Sequence, residues 1–133
     1  MKINVVKAEG TKNHFLIIKD NLKNKDLKRI FKKSMSITNY TRIDGFLVLS
    51  LSKKADFKMD YYNNDGSWET MCANGARCAA IYMYEQKLVN KKKMKIETGD
   101  GRYDAEILTK NLVRISMNTP KYKSRCIKIS DIE

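Results

Sequence analysis

No stretch of the 133-residue chain approaches the roughly 18 consecutive apolar positions that a membrane-spanning helix needs, which excludes a helical membrane anchor. Proline occurs once and glycine six times, too few for a collagen-like or linker-like chain. No segment repeats, so solenoid and propeller architectures drop out. The opening MKINVVKAEG has one early lysine and no extended apolar core, unlike a secretory leader. Histidine occurs once, as His14, and cysteine three times, as Cys72, Cys78 and Cys126. Three thiols cannot all pair, and the Cys72 to Cys78 spacing is not that of a zinc motif. Neither a disulfide framework nor a metal site is therefore expected. What remains is a soluble, cytoplasmic globular domain with free thiols.

The chain is 42% hydrophobic and 32% charged, an ordinary mixture for one domain with a modest core. Its net charge is +12, from 27 basic and 15 acidic residues. Such an excess suits nucleic acid, an acidic membrane or anionic substrates. The lysines are spread along the chain, however, with local clusters at 19–33, 91–95 and 121–128, and only six of the basic residues are arginine. Base and phosphate readers favour arginine forks. We read the lysines as a solvated surface and expect neither nucleic acid nor membrane as a partner.

Alternation and helical periodicity divide the chain into an α+β pattern. Ile3 to Ala8 and His14 to Lys19 read as strands around a turn, Glu9 to Asn13. Leu27, Ile30, Phe31 and Met35 follow a helical period with lysines opposite, and Asn24 is the expected N-cap. Gly45 to Leu51 and Phe57 to Asn63 read as strands joined by a polar turn. Ala76 to Leu88 is apolar on most sides, the mark of a buried helix. Lys93 to Thr98, Arg102 to Leu108 and Leu112 to Met117 read as a meander with turns at Gly99-Asp100-Gly101 and Thr109-Lys110-Asn111. About seven strands, one surface helix and one buried helix follow, and a mostly antiparallel or mixed sheet wrapped around the buried helix accounts for its composition. Residues 1–120 form the expected domain, and 121–133 a basic tail or the start of a linker.

The chemistry concentrates in NNDGSWETMCANGARC, residues 63–78. An Asp-Gly-Ser turn ends a strand, and the next helix is expected to start near Asn74 or Gly75. Cys72 then stands just before a helix N-terminus, where the macrodipole and free N–H groups favour a thiolate able to act as base or nucleophile. Ala73 and Gly75 allow a ligand close to the backbone, and the unpaired N–H groups suit a carboxylate or phosphate. A base beside an anion cradle fits an α-amino acid. On the residues alone, a cysteine at such a place is more often a small buried hydrophobe than a catalyst, and Asn-Asp-Gly-Ser is a common surface turn. Cys78 is expected in the core, and Cys126 has no assigned role.

YYNNDGSWETMCANGARCAA resembles the first active-site motif of the diaminopimelate epimerase family. EGTKNHFLIIKD resembles the family's opening, IDGFLVL the strand after its first helix, and IETGDGRYDAEI with LVRISMNTP the hairpin after its cysteine helix. The resemblance spans most of residues 1–120 in matching order. It implies two similar halves, each a sheet wrapped around a central helix, with the active site between them. It implies cofactor-independent epimerisation of LL- to meso-diaminopimelate in lysine biosynthesis. Cys72 would be one of two cysteines acting as base and acid, Asn13 and Asn63 would hydrogen-bond the substrate, and Ala73 with Asn74 would hold the reacting carboxylate. No cofactor is implied. The second cysteine would come from a C-terminal half or a partner chain, and a homodimer is expected. Three departures from the resembling family stand out: Ala73 replaces a glycine, Gly45 replaces a side-chain amide, and the chain is about half the family's usual length, without the half that would carry the second cysteine. A related racemase with another amino-acid substrate, or a non-catalytic half-domain that binds a partner, are the alternatives.

Overall fold

The computed structural model describes residues 3–19, 22, 25–39 and 42–117. The proposed cap Asn24, Cys126 and the segment 121–133 lie outside them. Among the described residues the elements run β1 (Val5–Gly10), β2 (Asn13–Lys19), α1 (Leu27–Thr38), β3 (Gly45–Ser50), β4 (Phe57–Asn63), β5 (Trp68–Glu69), α2 (Ala73–Glu85), β6 (Lys93–Thr98), β7 (Gly101–Thr109) and β8 (Leu112–Ser116). The strands form one sheet in the order β1-β2-β3-β4-β6-β7-β8, with β5 paired to β4. β5 is an eighth strand, too short to show a period of its own.

The topology follows from two crossovers. β2 and β3 are parallel and joined through α1, and β4 and β6 are parallel and joined through α2. β3 and β4 are antiparallel, so the two crossovers advance the same way along the sheet from strands of opposite direction. Right-handed connections then place the helices on opposite faces. Side-chain alternation agrees. Leu16, Ile18, Phe46 and Val48 pack with Phe31 of α1, and Phe15, Ile17, Leu47 and Leu49 pack with Ala76, Ala79, Ala80 and Met83 of α2. The continuous apolar runs FLII and FLVL are thus strands covered on both sides.

The sheet curls around α2, which touches both outer strands, β1 and β8, as well as β2, β3, β4 and β7. Gly75, Ala76, Ala79, Ala80 and Met83 form its buried strip, and the small residues among them let the strands close in. Cys78, Ile81, Tyr82 and Tyr84 are only partly buried, so α2 is less completely enclosed than its composition suggests. The helix also sits three residues earlier than its apolar run. It ends at Glu85 because Lys87 turns left-handed (φ 58°), and the N–H groups of Leu88 and Val89 return to the Met83 carbonyl. α1 starts at Leu27, with Asp26 as its N-cap: the Asp26 carboxylate accepts the Arg29 N–H at 3.2 Å. Among the described residues no helix is long and apolar enough to cross a membrane.

The β1–β2 turn is tighter than the sequence suggests, because Gly10 and Asn13 pair with each other. Only Thr11 and Lys12 remain at the tip, both with positive φ, 49° and 66°. That is the pattern of a hairpin turn that favours Asn-Gly, and a β-branched threonine is strained there. Thr11→Asn with Lys12→Gly is expected to add roughly 1 kcal/mol to the unfolding free energy. The check is a higher urea midpoint at constant slope; an unmoved midpoint refutes it.

Candidate active site

The run-in to α2 is tied down on both sides. After β4, the Asp65 carboxylate accepts the Ser67 N–H at 2.8 Å and the Ser67 hydroxyl at 2.6 Å, and Gly66 turns with φ 89°. The Trp68 indole lies against Gly99 in the β6–β7 turn and donates to Asp60 at 3.3 Å. The chain then reaches Cys72, which is extended (φ −140°, ψ 112°) and forms the N-cap of α2. Its Sγ accepts the Gly75 N–H at 3.4 Å, and its carbonyl accepts the Ala76 N–H at 2.8 Å. A side chain at Gly75 would start 2.6 Å from the Leu47 Cδ2 and 3.5 Å from the Cys72 sulfur. The first turn of α2 therefore rests directly on β3, with the sulfur at its edge. Cys72 is neither buried in the core nor fully exposed.

A chain of hydrogen bonds orients this turn. Arg77 donates to the Asn74 side-chain oxygen. The Asn74 amide donates to the Asn13 oxygen at 2.6 Å, and the Asn13 amide donates to Asp44 at 3.3 Å. Asp44 also accepts the His14 N–H at 2.8 Å, and its own N–H returns to the His14 carbonyl at 2.8 Å. The network locks α2 to the start of β2 and to the residue before β3. The His14 N–H, helped by the Asn13 amide and the Arg42 charge, holds the Asp44 carboxyl below its ordinary 3.8 against a smaller opposing effect of burial.

A depressed carboxyl pKa stabilises the fold above the unfolded value, and that contribution is lost as pH falls through the lower folded value. Asp44→Asn is expected to cost about 1 kcal/mol at pH 7, a charged hydrogen bond discounted for solvent. The gap to the native protein should narrow as pH drops from about 5 to about 3. Urea unfolding at both ends of that range is the check, and a pH-independent gap contradicts the assignment.

Asn63 lies at the same end of the sheet, since it pairs with Gly45, which pairs in turn with Phe15. Its amide donates to the Ser67 hydroxyl at 3.0 Å and to Glu69 at 3.2 Å. Ala73 is the first residue of α2. Cys72, Ala73, Asn74 and Asn13 thus form one contiguous group, with Asn63 across the sheet end and its amide engaged by its own hairpin. Cys78, expected in the core, is only partly buried. It packs against Gly10 of β1, and burial, followed by the neighbouring Cys72 charge, pushes its thiol up to about 11.

Two residues at this end are not visible as site residues in the sequence. Asp44 looks like a turn residue until the strand pairing is known. Tyr61 alternates with Met59 onto the α2 face of β4 and stands opposite Leu47. Burial, then the charges of Cys72, Asp44 and Glu69, raise its phenol to about 12.

Comparison with known proteins agrees with this architecture. The family profile described as diaminopimelate epimerase matches residues 5–123. The chain is similar to the diaminopimelate epimerase of Carboxydothermus hydrogenoformans, 36% identical over 129 residues, covering 94% of this chain and 47% of that protein. It is similar to the diaminopimelate epimerase of Buchnera aphidicola subsp. Acyrthosiphon pisum, 37% identical over 127 residues, covering 92% and 44%. The chain spans just under half the length of these curated relatives. Among solved structures, the fold matches a Bacillus anthracis phenazine biosynthesis protein of the PhzF family with a TM-score of 0.58. That match has 15% identity and covers 85% of this chain and 37% of the other. An Enterococcus faecalis phenazine biosynthesis protein of that family gives a TM-score of 0.53 at 11% identity, covering 79% and 38%. With the quoted motifs lying inside residues 5–123, the chain belongs to the diaminopimelate epimerase family.

Proposed function

We propose that this chain supplies the Cys72 half of a cofactor-independent enzyme that interconverts LL- and meso-diaminopimelate. The observation that carries the reading is the Cys72 sulfur capping α2 at 3.4 Å from the Gly75 N–H, beside the hydrogen-bonded Asn13–Asn74 pair. The N–H groups of Ala73 and Asn74 at the start of the helix have no intrahelical partner and suit the substrate's reacting carboxylate. That places the α-carbon next to the sulfur. The Cys72 thiolate takes the α-proton, breaking a C–H bond and forming S–H. The electron pair left on the α-carbon delocalises into the carboxylate held by the helix N–H groups. A second thiol on the opposite face returns a proton, so inversion is complete and the two sulfurs have exchanged protonation states. Asn13 and Asn63 contribute hydrogen bonds to the substrate. The second thiol comes from a C-terminal half or from a partner chain, a second copy of this chain included. In this role the protein serves lysine biosynthesis in the cytoplasm.

Gly45 favours a second reading, a related racemase with a different amino acid, because the side-chain amide of the resembling motif is missing there. The test joins the chain to the remaining half of the Carboxydothermus hydrogenoformans relative and supplies LL-diaminopimelate in deuterated water. The expected product is meso-diaminopimelate carrying one solvent deuterium; product formed by the chain without that half would assign the second thiol to a second copy of the chain. Turnover of histidine, proline or glutamate in place of diaminopimelate would select the second reading.

A further inference from the structure

Gly45 leaves a space on the α2 face of β3, and another residue fills it. A Cβ built on Gly45 would lie 2.5 Å from the Tyr61 ring, 2.9 Å from its hydroxyl and 2.5 Å from the Tyr62 carbonyl. No side chain fits at position 45 while Tyr61 holds its place. Tyr61 is fixed there by Leu47, its partner across β3 and β4, and by Phe15, whose ring meets it edge-on with centroids 6.2 Å apart. Leu47 is also the seat of the first turn of α2, the turn that carries Cys72. Tyr61 and Cys72 therefore border the same patch of β3 from two sides. Tyr61 is partly buried, and its hydroxyl, which is not sealed from solvent, makes no hydrogen bond to another described residue.

We propose that the Tyr61 hydroxyl is a substrate-binding donor of this site, aimed at the carboxylate of the amino acid whose α-carbon lies at Cys72, and that Gly45 is the condition for its being there. The donor is supplied by β4 instead of β3. The phenol stays protonated throughout the working range, since burial and surrounding negative charge raise its pKa to about 12. It can therefore give a hydrogen bond to an anion but not compete with Cys72 as a base. The identity of the ligand rests on the epimerase reading; the position of the hydroxyl does not.

Two experiments separate these. The first uses the protein itself, with Cys72 alkylated by iodoacetate or iodoacetamide and followed by peptide mass. The reagents differ in the carboxylate that a nearby donor would attract. Tyr61→Phe keeps the ring and removes the donor. It is expected to lower the iodoacetate-to-iodoacetamide rate ratio at Cys72 about fivefold, the weight of one charge-assisted hydrogen bond in a half-open site. An equal ratio in both proteins overturns the proposal. The second uses the completed enzyme, where Tyr61→Phe should lower kcat/KM about tenfold, because the carboxylate it would hold gains charge as the α-proton leaves. An unchanged kcat/KM also overturns it. A completed wild-type enzyme that turns over nothing removes the epimerase reading, and the alkylation ratio still decides whether Tyr61 receives a carboxylate beside Cys72.

Discussion

Cys72→Ser is expected to lower turnover by the completed enzyme by about 10²- to 10⁴-fold, the usual weight of a positioned general base. A serine hydroxyl at the same place is too weak an acid to provide an anion near neutral pH, so the proton-abstracting group is lost while the geometry stays. Serine is also a good N-cap, and its oxygen can accept the Gly75 N–H that the sulfur now accepts. The fold should therefore be as stable as before, which separates a chemical loss from a structural one. The measurement is solvent deuterium entering the α-position of diaminopimelate, alongside a thermal melt of the same samples. Cys78→Ala provides the contrast. With its thiol at about 11, about one Cys78 molecule in a thousand is ionised at pH 8. Its replacement should leave most of the activity. If Cys78→Ala abolishes exchange and Cys72→Ser does not, the two cysteines have been given the wrong roles. If Cys72→Ser leaves the biological activity intact, the half-domain is a binding module.

Phe46→Ala is expected to cost about 3–5 kcal/mol, a large share of the roughly 5–15 kcal/mol that holds a domain together. Phe46 is fully buried. Its ring stacks on Phe31 of α1 with centroids 4.0 Å apart and planes 12° from parallel, and Tyr62 packs on the same phenylalanine at 5.2 Å. Truncation leaves a cavity between β3 and α1 that neighbouring strands, covered on both faces, cannot collapse to fill. Its neighbour Leu47 points to the other face, under the turn that carries Cys72. The loss should therefore appear in global unfolding and not in the site. Urea denaturation should show a much lower midpoint, while Cys72 in the remaining folded protein reacts with iodoacetamide at an unchanged rate. A loss below about 1 kcal/mol would mean that α1 contributes little to the core.

Several elements were legible because a single physical signal specified them. β4 and β6 match the expected Phe57 to Asn63 and Lys93 to Thr98 residue for residue. In β6, alternation puts Met94, Ile96 and Thr98 inside, with Lys93 and Lys95 outside facing Glu106 and Asp104 on β7. Boundaries were less legible where a cap decided them. Asp26 caps α1 by accepting the Arg29 N–H, a contact that residue type and spacing do not reveal. Likewise α2 begins at Ala73 and not at the start of the apolar run, because the Cys72 sulfur and carbonyl already accept the N–H groups of Gly75 and Ala76.

The candidate site divides the same way. The sequence by itself determined that a cysteine would stand at a helix start between small residues, and that an α+β sheet would surround that helix. Both are local properties, set by spacing, side-chain size and apolar periodicity over a dozen residues. Only the tertiary structure decided that Asn13, 61 positions from Asn74, would hydrogen-bond to it, that Asp44 would anchor the pair, and that Tyr61 would occupy the space left by Gly45. Those contacts depend on the register between strands and on which face each crossover helix covers. Register and facing are collective results of the packed sheet, and no short window of residues contains them.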